Sequence, residues 1–138
     1  GAFLMIRAEL FSSVGGFDER YFMYLEDADL GYQVRKRGLR SVLMETDSVV
    51  HLGRHYEESD NPFVMYNMNK GQILFYEKNF AKWSLYCLAF LGFLAYSVRL
   101  LFARNNKNNR DEIRAVMGLY AQVLAGNPKV GKAFAGNK

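Results

Sequence analysis

The residues from Gly15 to Gly38 restrict the possible folds of this chain more than any other stretch. Gly15-Gly16 permits a tight turn with positive φ, and Phe17, Tyr21, Phe22 and Tyr24 then form an aromatic cluster that needs burial. Glu26, Asp27 and Asp29 follow, three carboxylates within four positions. From Glu26 to Arg37 the pattern is helical, with acids in the first turn, bases in the last and Gly38 at the position after the cap. Asp27, Leu30 and Val34 lie at i, i+3 and i+7. The spacing therefore puts Asp27 on the inward-packing face and sends Asp29 and Gln33 elsewhere. On its own, such a trio stabilises a helix N-terminus; aimed into a cleft, one member becomes a candidate for proton chemistry.

Composition sets the scale. With 138 residues, half of them hydrophobic and 15% aromatic, the chain is about one domain with a real core and is not a disordered tail. A lone cysteine, Cys87, inside an apolar run excludes a disulfide framework or zinc cluster. It reads as a buried small hydrophobe in a reducing, cytoplasmic setting. Charge is unevenly spread: residues 1–98 carry 10 basic and 12 acidic side chains, whereas 99–138 carry 8 and 2, a net +6. The basic tail lacks interleaved aromatics, so it suits anionic lipid headgroups better than nucleic acid.

Ala2–Ile6 has the length of a buried strand, and a chain opening inside one reads as a segment whose upstream half is missing. Ala8–Val14 reads as a short helix stopped by the glycine pair. After the acidic helix, Arg40–Glu45 and Ser48–Leu52 are β-prone runs, giving a β-α-α-β-β order. From Pro62 the texture is helical, with Pro tolerated in the first turn and the helix expected across or beside the carboxylate cleft. Trp83–Val98 then runs 16 residues without a charge. That is about 24 Å of helix, short of the roughly 30 Å hydrocarbon core, although extension to Phe102 nearly reaches it. Trp83, Tyr86, Tyr96 and Arg99 near its ends suit an in-plane or shallow membrane helix, with a spanning helix and a buried domain or dimer helix as the alternatives. Asp111–Ala125 reads as a further amphipathic helix capped by Asn109 or Asp111 and ended by Gly126-Asn127-Pro128.

Taken in order, Gly1-Ala2 opening an apolar run, Arg7, Phe11, Gly15-Gly16-Phe17-Asp18-Glu19, Phe22, Tyr24, Glu26-Asp27-x-Asp29-Leu30, Arg35, Gly38 and Val49-Val50-His51 resemble the C-terminal half of a family-2 glycosyltransferase of the GT-A type, rhamnosyltransferase-like. The resemblance implies an α/β fold, the C-terminal part of a GT-A sheet followed by an α-helical tail. It divides the chain into 1–60, the C-terminal half of the catalytic domain; 61–104, a helical extension with a membrane-associated helix over 83–102; and 105–138, a basic helical tail.

It also implies roles. An inverting transfer needs a base to take the acceptor hydroxyl proton while its oxygen attacks C1 of the sugar. Asp27 matches the aspartate of the family's Glu-Asp motif and is the expected base, with Glu26 as its catalytic neighbour. Asp29, Arg35 and Trp83 are the expected substrate-binding residues. His51 resembles the histidine that joins an aspartate pair around a divalent metal, Mn²⁺ or Mg²⁺, whose main ligands fall outside this chain. Asp27-Ala28-Asp29 also spells Asp-x-Asp, but it opens a helix and does not end a strand, so it is not taken as that metal pair. His51 and His55 do not make a zinc-protease motif, since no Glu follows His51 and Gly53 interrupts. Expected partners are a nucleotide-sugar donor, a glycan or lipid-linked acceptor and a membrane surface at the inner face of the cell membrane, with no nucleic acid. An oligomer through the C-terminal helices is compatible, and the segment alone is expected to be inactive. The competing class is a non-enzymatic, membrane-associated helical interaction domain.

Overall fold

The computed structural model describes residues 3–43, 50, 62–103 and 107–127. They form α1 (Ala8–Val14), α2 (Glu26–Lys36), α3 (Pro62–Asn79), α4 (Lys82–Phe102) and α5 (Lys107–Leu124).

The expected α/β architecture is corrected by this structure: the described residues are helical and include no strand. Leu4–Arg7 and Leu39–Leu43 carry no regular secondary structure, and Phe3, Met5, Val42, Leu43 and Val50 are exposed. An apolar run becomes a strand only when a neighbour accepts and donates its backbone hydrogen bonds, and these runs meet none among the described residues. The rest of the expected β runs, including His51, lies outside the described residues.

Local signals set the helix ends well. Gly15, at φ 89°, and Gly16, at φ 68°, turn the chain after α1, their N–H groups donating to Ser12 O (3.1 Å) and Phe11 O (2.9 Å). Gly38, at φ 76°, follows α2 and donates to Arg35 O at 2.9 Å. Helix α5 begins at Lys107, earlier than the expected cap at Asn109 or Asp111.

The core lies between the last three helices. Met65 and Ile73 of α3, Leu85 and Ala89 of α4, and Val116, Leu119, Tyr120 and Val123 of α5 are buried together. Asn69 crosses this apolar layer fully engaged: its Nδ2 donates to Met65 O (2.7 Å) and Tyr96 Oη (2.9 Å), and its Oδ1 accepts from Tyr120 Oη at 2.6 Å. A buried amide with its partners in place costs little and fixes the register of three helices, whereas the same amide unpaired is expensive. Burial raises the Tyr120 hydroxyl to about 12, with Tyr96 adding to the effect.

Helix α2 joins this body through the C-terminal end of α3. The Tyr32 ring meets Phe75 edge-on, with centroids 5.4 Å apart, and Phe80 at 5.6 Å. An Arg37 guanidinium N–H donates to Ser13 O, tying α2 back to α1.

Among the described residues, only one side of α4 is covered. Cys87, expected to be buried, is exposed on the other side beside Trp83, Phe90, Leu94, Val98 and Leu101. Helix α4 is apolar around most of its circumference, so hydrophobicity could not say which face packs on α3 and α5.

Candidate active site at the start of helix α2

Helix α2 begins without a side-chain cap. Tyr24 (φ 65°) and Leu25 (φ 67°) are both left-handed, a conformation that costs non-glycine residues of order 1–3 kcal/mol each. The helix proper starts where Asp29 N–H donates to Leu25 O at 2.9 Å.

The three carboxylates diverge from there. Asp27 is half-buried, and its Oδ1 accepts the Ala28 N–H at 2.8 Å. With Leu30, Gly31 and Val34 it forms one wall of a concavity of about 440 Å³, completed by Leu4, Ile6, Arg7 and Leu10 on one side and Leu39–Ser41 on the other. Asp27 thus shares the face of Leu30 and Val34, as the spacing indicated, and two guanidinium-bearing residues, Arg7 and Arg40, line the same hollow. Arg35 lines an adjoining concavity of about 630 Å³ with Tyr32, Phe75 and the shared segment Leu39–Ser41. Glu26 is half-buried, with Oε2 enclosed and without a hydrogen-bond partner among the described residues.

Asp29 is the buried acid, only 2% exposed. Its Oδ2 pairs with Lys78 Nζ at 2.6 Å, and its Oδ1 accepts from Asn79 Nδ2 (2.8 Å) and Gln33 Nε2 (3.2 Å). Lys78 Nζ also reaches Asp18 Oδ2 at 2.9 Å, and Asp18 is gripped by Arg20 through Nε at 3.0 Å and a second guanidinium nitrogen at 2.8 Å. The Arg20 bonds outweigh burial and, with Lys78, hold the Asp18 carboxyl well below the usual carboxylate range. Burial disfavours the Lys78 ammonium, but its bonds to Asp29 and Asp18 prevail and raise its affinity for the proton. Tyr21 is buried beside these charges. Burial, with Asp29 and Asp18, pushes its hydroxyl well above the ordinary tyrosine range.

Of the residues singled out from sequence, Asp27 and Arg35 therefore open onto neighbouring hollows on α2. Asp29 faces away from them, both its oxygens already engaged, and Trp83 stands exposed at the start of α4, lining neither hollow. His51 lies outside the described residues. Among the described residues no three His, Cys, Asp or Glu side chains are grouped to hold a metal ion. Lys78 and Asn79, which hold Asp29, were not anticipated. A part-buried pair formed across 49 residues leaves no local periodicity, and α3 also buries Asn67, Asn69 and Lys70, so nothing in the sequence sets Lys78-Asn79 apart.

Comparison with known proteins agrees with the resemblance. The chain is 37% identical over 83 residues to the N-acetylglucosaminyl-diphospho-decaprenol L-rhamnosyltransferase of Mycobacterium tuberculosis, a match covering 60% of this chain and 27% of that protein. It is 36% identical over 59 residues to rhamnosyltransferase WbbL of Escherichia coli K12, covering 43% of this chain and 22% of the relative. It is also 38% identical over 50 residues to the O-antigen biosynthesis protein RfbC of Myxococcus xanthus, covering 36% of this chain and 4% of the relative. No family model and no solved structure matches the chain. In sequence the chain is rhamnosyltransferase-like, and it spans about a quarter of the length of the first of these relatives.

Proposed function

We propose that this chain is part of an inverting glycosyltransferase that moves a sugar, rhamnose by analogy with the relatives, from a nucleotide-diphospho-sugar to a glycan or lipid-linked acceptor. The observation that carries this reading is the Asp27 carboxylate in the wall of a hollow that also holds Arg7 and Arg40. In this reading Asp27 takes the acceptor O–H proton as that oxygen bonds to C1. The bond from C1 to the diphosphate breaks, and the nucleoside diphosphate leaves with the electron pair. Glu26 orients the acceptor or Asp27, and Arg35 contributes to substrate binding from the adjoining hollow. Arginines suit a diphosphate because the guanidinium fork matches its oxygens and stays charged. A divalent cation, Mn²⁺ or Mg²⁺, belongs to the reading with its main ligands outside this chain, and no step above depends on it.

The exposed face of α4 supports a place at the inner surface of the cell membrane. Trp83 is 70% exposed and Leu101 83%, with Phe90, Leu91, Leu94 and Val98 between them and no charged residue from Trp83 to Val98. The helix is long and apolar enough to cross a bilayer. Its opposite face, however, packs on α3 and α5, which favours lying in the plane of the headgroups over spanning. The same face is what a non-enzymatic interaction domain would use. The two readings separate on one assay: the full-length polypeptide is given a nucleotide-sugar labelled in its sugar together with a lipid-linked acceptor. Label entering the lipid phase with inverted anomeric configuration is expected. Membrane binding without any transfer would overturn the enzymatic reading.

A further inference from the structure

The left-handed pair Tyr24-Leu25 is uphill for two non-glycine residues, so the surrounding structure must hold it, and α3 does so at two points. The first is steric. Gly71 lets the α3 backbone approach the turn so closely that an added Cβ would stand 3.0 Å from Leu25 Cδ1 and 3.2 Å from Tyr24 O. The second is ionic: about two turns further along α3, Lys78 bridges Asp29 of α2 and Asp18 of the preceding loop, at 2.6 and 2.9 Å. Asn79 adds a bond to Asp29 at 2.8 Å and accepts one from Gln33 at 2.8 Å. Asp29 follows Asp27 by two residues, about 200° around the helix, so the anchor acts on the back of the turn whose front carries Asp27. A fixed back and a fixed entry leave the front carboxylate little freedom to translate or roll.

We propose that Lys78, with Asp29, Asp18 and Gly71, is a positioning device that holds the start of α2 so that Asp27 keeps its place in the wall of the hollow. Lys78 is the positioning residue in this arrangement. Its ammonium is paired with two carboxylates on the far side of α2 from the hollow, and its work is done through the backbone of α2. The proposal rests on the reading of Asp27 as the base.

The test uses the full-length polypeptide and its transfer reaction, with Lys78→Met, Lys78→Arg and Gly71→Ala as variants, each first checked for folding by circular dichroism at the assay temperature. Because displacing a reacting group by about 1 Å can cost 100-fold in rate, Lys78→Met is expected to lower kcat by at least about tenfold while the donor KM stays within about twofold. Lys78→Arg, which keeps a cation between the two aspartates, is expected to recover most of that loss. The acidic limb of the pH profile of kcat/KM, which reports the base, is expected to move in Lys78→Met by about half a unit or more, a change that mere loss of folded protein does not produce. If Lys78→Met does not fold, Gly71→Ala carries the same test from the steric side. An unchanged kcat and pH profile in the folded variants overturns the positioning role. Asp27→Asn is run alongside. If it abolishes transfer while Lys78→Met is unaffected, only the positioning proposal fails; if Asp27→Asn retains transfer, the reading of the base fails first.

Discussion

Gly92 of α4 faces the ring of Tyr120 on α5 so closely that a methyl group there would stand 2.5 Å from Cζ and 2.7 Å from Cε1 and Cε2. The ring is buried and its hydroxyl is tied to Asn69 Oδ1 at 2.6 Å, so it has no free direction in which to retreat. Gly92→Ala is therefore an overpacking substitution, with an expected cost of about 1–3 kcal/mol, plus about 1 kcal/mol if the Tyr120 bond to Asn69 breaks. Against this, alanine in a helix interior gains roughly 1 kcal/mol over glycine, leaving a net loss of up to about 3 kcal/mol, largest if that bond breaks. Gly118 of α5 provides the control, since nothing lies within 4 Å of a Cβ added there. Gly118→Ala should receive the propensity gain alone and stabilise by up to about 1 kcal/mol. Equilibrium urea unfolding of both variants, with m-values compared to guard against changes in the unfolded state, measures the difference. Equal midpoints for Gly92→Ala and Gly118→Ala would refute the packing of α4 on α5 described above.

Removing the buried acid strands its hydrogen-bond donors without leaving a buried charge behind. Asp29→Ala is expected to destabilise by about 1–3 kcal/mol in urea unfolding, and Asp29→Asn, whose one oxygen can still accept from Lys78 or from Asn79, by less. The acid limb of stability has a named source as well. The folded state holds Asp18 below its unfolded value of about 3.9, so its contribution is present above about pH 4 and fades as pH falls further. Asp18→Asn should flatten thermal melting temperature against pH in that range; an unchanged slope counts against the Arg20 and Lys78 bonds. Lys78 works in the opposite sense, its contribution being present below about pH 10 and lost as pH rises beyond its raised value. On the membrane side, Trp83 emission should shift to the blue with vesicles containing anionic lipid and revert when Leu94 and Val98 are both changed to Asp. No shift would remove α4 from the membrane surface.

What could be read in the sequence was local. Gly15, Gly16 and Gly38 announced their turns because only residues free of a Cβ accept positive φ cheaply, and the acid-to-base gradient along Glu26–Lys36 marked the direction of α2. Spacing also put Asp27, Leu30 and Val34 on one face, which is where they line the hollow. Non-local facts escaped. The β-prone runs near Ile6 and Val42 were read as strands from composition, but pairing is decided by a neighbour that no window of sequence displays. Asp29 was left off the packing face because the periodicity assumed a single covered face, whereas α2 has two, one toward the hollow and one toward Lys78 and Asn79 of α3. Cys87 was read as buried because it sits inside an apolar run, and an apolar run does not say which of its faces is covered. The αL pair Tyr24-Leu25 carried no compositional hint, because aromatic and aliphatic residues seldom adopt that conformation unless tertiary contacts impose it.

Single-turnover transfer by the Asp27→Asn variant of the full-length polypeptide, at saturating donor and acceptor, bears most directly on whether this carboxylate is the base. Donor affinity within about twofold of wild type and a rate lowered by about 100-fold or more is the expected result, because the amide keeps the shape of the hollow and cannot take a proton. A rate within about threefold of wild type would leave Asp27 as a helix-terminal charge and return the search for the base to other residues.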